Sequence, residues 1–322
     1  MNIAVCGAGA WGTSIANLLA QNGNDVRIWA YEKITVENIN QHHRHEGLGD
    51  AKLSDRLVAT QNLGSLLDSA DALVVGLASL HLSVLLDLDL NKLRQIPILI
   101  LTKGLSEEID RPFLSDYLAN LLDHDRLAVL SGPNLAYEIA NGYPSSTVVA
   151  SRRLDDAQLF QTALSSEIFR VYTQDDVRGV ECGGVFKNVI AIAGGMSDGL
   201  ELGENAKAAL ITRGLLEIAQ IATFFGGKEK TCYGLSGLGD LILTAQSARS
   251  RNRTFGEEWA RGNRDDGGKT VEGRTTLTRL MPQLETQSLD LPIMRGVYAV
   301  LNDGKDPKAV FQQLMTRSLK AE

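Results

Sequence analysis

The sequence predicts an α/β protein in which a doubly wound, mainly parallel sheet is followed by a second, all-α domain. Three observations carry this. Through about residue 175, short β-branched runs alternate with helical segments, the pattern of a parallel sheet flanked by helices. Beyond that point the β-rich runs stop, and long stretches with apolar spacing near 3.6 take over. The 322-residue chain also exceeds what one ordinary hydrophobic core needs, so two domains are expected, 1–175 and 176–322.

Taken in order, the expected strands are the apolar and β-branched runs 3–6 (I-A-V-C), 26–29 (V-R-I-W), 57–60 (L-V-A-T) and 72–75 (A-L-V-V), then 98–102 (I-L-I-L-T), 127–130 (L-A-V-L), 146–150 (S-T-V-V-A) and 168–171 (I-F-R-V). A helix is expected over 13–21, directly after the first strand. In the second half, helical spacing marks 206–224, 296–301 and 307–319. No Pro/Gly/Ser-rich linker, internal repeat or low-complexity tract separates the halves.

Composition narrows the function classes. Hydrophobic residues at 44% and charged residues at 22% exclude disorder, and no apolar stretch approaches the roughly 18 residues of a membrane helix. A net charge of −7 argues against a general nucleic-acid binder, so an anionic ligand needs a local cationic pocket. Cys6, Cys182 and Cys232 are odd in number and widely spaced, which points away from a disulfide framework or a zinc site. The chain starts directly in a strand without a basic start and apolar run, and a cytoplasmic location is expected.

Gly7-Ala8-Gly9-Ala10-Trp11-Gly12 fits G-x-G-x-x-G between a strand and a helix, the context a Rossmann-like dinucleotide site requires. Gly7 serves the tight turn, Gly9 lets backbone approach a pyrophosphate, and Gly12 allows close helix packing, while N–H groups at the helix start bind the anion. Glu32, at the end of the second strand about 20 residues on, is placed to accept the adenosine ribose hydroxyls, which leans toward NAD. Lys33 is the alternative, as a partner for the 2′-phosphate of NADP.

Four later segments offer substrate chemistry: Thr102-Lys103-Gly104, Ser131-Gly132-Pro133-Asn134-Leu135-Ala136, Phe186-Lys187-Asn188, and Ser236-Gly237-Leu238-Gly239-Asp240 followed by Ser250-Arg251-Asn252-Arg253. Read singly they have plainer meanings. Lys187 would be a surface lysine, Asp240 a helix N-cap, and the 250–253 run a solvated basic turn. Together with the opening G-A-G-x-W-G-T and N-A-K-A-A-L-I-T-R-G (205–214), they run in order from Gly7 to Glu272, and the chain resembles the bacterial type of NAD(P)-dependent sn-glycerol-3-phosphate dehydrogenase.

That resemblance implies reversible hydride transfer between NAD(P)H and dihydroxyacetone phosphate, giving sn-glycerol 3-phosphate for phospholipid synthesis. It implies Lys187 as catalytic acid/base. At the substrate it places Lys103, Gly132, Asn134, Lys187, Asn188, Asp240 and Thr244, with Ser250, Arg251 and Asn252 at the phosphate. Around the dinucleotide it places Gly7, Gly9, Ala10, Trp11, Gly12, Tyr31, Glu32, Lys103, Ala136, Arg251 and Glu272. No metal and no nucleic-acid partner are expected, and a homodimer is the candidate assembly.

The residue types suit the roles. Hydride arriving at a carbonyl carbon builds negative charge on oxygen, which a positioned ammonium stabilises and protonates. Arg251 presents a planar donor fork matched to phosphate oxygens. Two departures bear on the cofactor: the family usually has V-P-S-Q after the fourth strand, where this chain has Leu77-Ala78-Ser79-Leu80, and Tyr31-Glu32 stands where NADP-preferring members often carry basic residues. Lys207 and Arg213 have structural and substrate-side readings of equal standing. His42, His43 and His45 read as a solvated helix face.

Two other readings compete with it. β-Hydroxyacid dehydrogenases of the 6-phosphogluconate type share the two-domain plan but space the catalytic lysine and its asparagine four apart, whereas Lys187 and Asn188 are adjacent. A non-catalytic NAD(H) sensor needs the glycine loop but no substrate-phosphate site, so Lys103, Lys187, Asp240 and Arg251 speak against it.

Overall fold

The structure, a computed structural model, describes residues 1–264 and 271–318. The chain divides into two compact units, Met1–Val180 and a second from Glu181 onward. The end of the expected helix 307–319 lies outside the described residues.

The first unit is built in the order β1 (Asn2–Cys6), α1 (Ala10–Gln21), β2 (Asp25–Trp29), α2 (Lys33–His42), β3 (Leu57–Thr60), β4 (Ala72–Val75), α3 (Leu90–Leu93), β5 (Ile98–Ile100), α4 (Leu114–Leu122), β6 (Leu127–Ser131), α5 (Ala136–Ala140), β7 (Ser145–Ser151), α6 (Leu154–Leu164) and β8 (Phe169–Gln174). These strands form one eight-stranded sheet of order β3-β2-β1-β4-β5-β6-β7-β8. Val5 of β1 lies opposite Ile28 on one side and Val74 on the other. Side chains alternate across the sheet. Ile3 and Val5 pack with Ile15 and Leu19 of α1 and Phe160 of α6, while Ala4 and Cys6 face Leu114, Leu118 and Leu122 of α4. With both faces covered, β4 and β5 are buried throughout, which is why they read as unbroken apolar runs.

All pairings are parallel except β6 with β7. The reason lies in the connection. A parallel crossover needs a covering helix, but between these strands only the five-residue α5 intervenes, and it packs on α1, so the chain re-enters the sheet reversed. Strand β5 also stops at Ile100, short of the expected 98–102, because Thr102 turns to hydrogen-bond the Leu77 carbonyl at 2.6 Å.

The helix α7 (Val177–Gly199) crosses the boundary between the units, which lies five residues beyond the 175/176 division expected. There follow α8 (Glu204–Phe224), α9 (Glu229–Cys232), a π-helical turn at Leu235–Gly239, α10 (Asp240–Gln246), α11 (Arg251–Ala260), α12 (Glu272–Glu285), α13 (Pro292–Leu301) and α14 (Pro307–Met315). The long α7 escapes periodicity because it is buried nearly all round, including Val185, Phe186, Val189 and Ile192, and so carries no polar stripe. Its glycines mark backbone contact. A Cβ at Gly195 would lie 1.9 Å from the Arg253 carbonyl oxygen and one at Gly199 2.4 Å from that of Glu257, while Gly256 of α11 meets Ile192 in the same way at 2.1 Å. Among the described residues no helix is long and apolar enough to cross a membrane.

Candidate active site

In the first unit, a cleft of about 480 Å³ opens at the carboxyl ends of β1, β2 and β4, lined by residues 7–10, 29–32 and 76–78 together with Thr35 and residues 45–47. It lies where strand order reverses between β1 and β4, the switch point at which open α/β sheets bind ligands. The three loop glycines differ in what demands them. Gly7 has φ +114° and a Cβ there would strike Gly76, while one at Gly12 would lie 2.1 Å from the Gly7 carbonyl oxygen, so the protein's own packing forbids side chains at both. A Cβ at Gly9 would meet nothing within 4 Å. Gly9 therefore borders open space where a ligand backbone fits, and the start of α1, from Ala10, supplies N–H groups for its phosphates. The residues present fit a dinucleotide.

Trp11 is anchored through Nε1 to the Leu101 carbonyl at 3.2 Å, and the Ala136 carbonyl accepts from Ser14 Oγ at 2.9 Å. Tyr31 is exposed and Glu32 lines the cleft, whereas Lys33 leaves it to pair with Glu37 at 3.4 Å. Lys103 Nζ donates to the Gly132 carbonyl at 2.9 Å, which ties the segment after β5 to the end of β6. Asn134 donates to Ser145 Oγ and to the Ser146 carbonyl, and its Oδ1 has no hydrogen-bond partner among the described residues.

The three histidines do not form a solvated helix face. Only His42 lies on α2, and His43 adopts a left-handed conformation at the helix end. His45 is buried, and its ring nitrogens are satisfied by the Ala8 carbonyl and the Gly47 amide. Its partner Ala8 is too distant in the chain for local spacing to signal the contact.

In the second unit, Lys187 of α7 is buried with its ammonium against Asp240, the first residue of α10, and donates to Thr244 Oγ1 at 3.0 Å. Thr244 in turn donates to the Asp240 main-chain carbonyl at 2.6 Å, which leaves its oxygen lone pairs for the lysine. Asp240 is therefore not the cap of α10; Gly239 holds that position. The preceding π turn, packed so that a Cβ at Gly237 would lie 2.0 Å from the Cys232 carbonyl oxygen, delivers the carboxylate to the lysine.

Next to Lys187, Asn188 accepts from Asn252 Nδ2 at 3.0 Å and donates to Glu272 Oε2 at 3.0 Å, and Asn252 accepts from the Gly273 amide at 2.9 Å. Ser250 caps α11 by accepting from the Arg253 amide, so the first N–H groups of this ten-residue helix are presented beside Arg251. Arg251 is 62% exposed, with Glu272 3.8 Å away. The 250–253 run is thus not a solvated turn. Arg253 instead makes two contacts to Asp198 Oδ2, at 2.8 and 2.7 Å, and Lys207 reaches the same oxygen at 2.8 Å. Lys207 thus has a structural partner in Asp198. Asp198, which no sequence motif marks, bonds the end of α7 to α11. Arg213 is half-buried.

Two family descriptions match this chain: the NAD-dependent glycerol-3-phosphate dehydrogenase N-terminus over residues 2–157, and the C-terminus of the same enzyme over 176–312. The chain belongs to the NAD-dependent glycerol-3-phosphate dehydrogenase family. As a member of it, the chain is an oxidoreductase working with NAD(P). Among its relatives, the glycerol-3-phosphate dehydrogenase [NAD(P)+] of Deinococcus radiodurans is 44% identical, covering 99% of this chain and 96% of its own length. That of Oceanobacillus iheyensis is 38% identical, covering 99% and 95%. The crystal structure of glycerol-3-phosphate dehydrogenase from Coxiella burnetii superposes with a TM-score of 0.88 at 34% identity, covering 98% of this chain and 99% of that one. A ternary structure of D-mandelate dehydrogenase with NADH, 12% identical at a TM-score of 0.62, shares the fold alone.

Proposed function

We propose that Lys187 is the proton donor and acceptor in the interconversion of dihydroxyacetone phosphate and sn-glycerol 3-phosphate, and that the start of α11 holds the substrate phosphate. The observation that carries this is the hydrogen bond between Asn188 and Asn252. It joins the immediate neighbour of the buried lysine to the helix start that presents Ser250, Arg251 and the N–H groups of its first turn. A proton-transfer group and an anion site so linked suit a small molecule whose carbonyl and phosphate lie a few bonds apart.

When bound, the nicotinamide supplies or accepts the hydride. What the chain's residues do follows from their positions. Lys187 gives its proton to the carbonyl oxygen as charge develops there, or takes it from the hydroxyl in the reverse direction. Asp240 offsets the ammonium charge in a site that water reaches poorly, and Thr244 fixes where Nζ points. Asn188 is oriented by two partners and so offers the substrate a side chain already in place. Lys103, Gly132 and Asn134, and likewise Arg251 and Glu272, keep the ligand roles that the resemblance implies. The enzyme supplies glycerol phosphate for phospholipid synthesis in the cytoplasm, as a homodimer.

The test is NADH oxidation by the purified protein with dihydroxyacetone phosphate and with unphosphorylated dihydroxyacetone. Turnover with the first and very poor turnover with the second is expected, since the unphosphorylated ketone forfeits the helix N-terminus and Arg251. Equal use of both ketones would remove the phosphate site.

A further inference from the structure

We propose that His45 is a positioning residue for the dinucleotide: it fixes the peptide between Ala8 and Gly9 so that the Gly9 N–H faces the pyrophosphate. His45 is 9% exposed and both ring nitrogens are engaged. Nδ1 accepts from the Gly47 amide at 3.0 Å, so in the neutral ring the hydrogen sits on Nε2, which donates to the Ala8 carbonyl at 2.9 Å. In a trans peptide the C=O and the following N–H point in opposite directions. With the Ala8 carbonyl held against the imidazole, the Gly9 N–H is turned away from it, at a residue that is exposed and bordered by open space.

The surroundings support a built contact. His45, Glu46 and Gly47 lie on the wall of the same cleft as Ala8 and Gly9. A Cβ at Gly47 would meet the Ala10 Cβ at 2.8 Å and His45 Cε1 at 3.3 Å, so the turn after His45 is seated directly on the start of α1. Without the ring, the Ala8 carbonyl loses its donor and the peptide is free to turn its oxygen toward an anionic ligand. The imidazole acts here as a strut between two backbone groups and not as a direct phosphate ligand.

This inference rests on reading the glycine loop as the pyrophosphate cradle, and the experiment separates the two. Dissociation constants for NADH, ADP-ribose and adenosine are measured on the full chain for the parent, His45→Phe, His45→Gln and Gly9→Glu. In His45→Phe, which keeps bulk but no ring donor, binding of NADH and ADP-ribose is expected to weaken roughly three- to ten-fold, the range for one hydrogen bond. Adenosine, which lacks the pyrophosphate, should bind as in the parent. His45→Gln, whose amide can donate to Ala8, should recover most of the loss. If His45→Phe does not fold, His45→Ala is read in its place. Unchanged NADH binding in the ring-less variant, equal losses for NADH and adenosine, or a glutamine variant no better than phenylalanine would overturn the role of His45. Unchanged NADH binding in Gly9→Glu would overturn the cradle, and the His45 proposal with it.

Discussion

The NAD preference expected from the sequence rests on one side chain, Glu32. It lines the cleft and accepts from Thr35 Oγ1 at 3.5 Å, while the neighbouring cation Lys33 is turned to Glu37. A carboxylate there can accept from the two ribose hydroxyls of NAD but faces nearly two negative charges on the 2′-phosphate of NADP. Glu32→Ser is therefore expected to move the ratio of kcat/KM for NADH over NADPH toward NADPH; an unchanged ratio would mean that the carboxylate does not meet the ribose. Residues of this kind were legible in the sequence because strand ends and glycine loops fix them locally. Lys187 and Asp240 were legible only through the ordered motifs, since nothing in the spacing between them announces an ion pair. His45 was misread for the converse reason: three nearby histidines look solvated until the fold brings Ala8 to one of them.

Between elements, the geometry depends on backbone contacts that composition hides. The approach of α7 to α11 at Gly195 leaves no room for a methyl group 1.9 Å from the Arg253 carbonyl oxygen. Gly195→Ala should cost about 1–3 kcal/mol, as overpacking does, and by displacing α11 should raise KM for the phosphorylated ketone. A thermal midpoint equal to the parent's would contradict the close crossing. A second joint is the start of α13, where the buried Glu217 of α8 accepts from the amides of Ile293 and Met294 at 2.7 and 2.9 Å. Burial pushes its carboxyl up from 4.5 to about 7, opposed by those two amides, with Asp290 raising and Arg317 lowering it further. An acid whose folded pKa is raised binds more protons folded than unfolded, so its contribution to stability is lost as pH rises from about 4.5 to about 7. The parent should lose up to about 3 kcal/mol over that window relative to Glu217→Gln, read as the difference between their urea unfolding curves at pH 5 and pH 8. Parallel pH profiles would show that the carboxyl titrates normally.

For the molecule as a whole, the sheet-then-helices plan was legible because strands buried on both faces write continuous apolar runs and exposed helices write a 3.6-residue period. What was not legible follows from the same physics. The reversal of β7 depends on how α5 packs on α1, and α7 is buried too evenly to show a period. In the proposed function the first unit holds the dinucleotide and the second supplies the proton donor. The most direct test of that division of labour is Lys187→Ala, with kcat measured for dihydroxyacetone phosphate reduction and the dissociation constant for NADH measured on the same protein. Loss of the proton donor should lower kcat by about 10²-fold or more while NADH binding stays close to the parent's. Turnover within a few-fold of the parent would contradict the assignment of Lys187 as the residue that protonates the carbonyl oxygen.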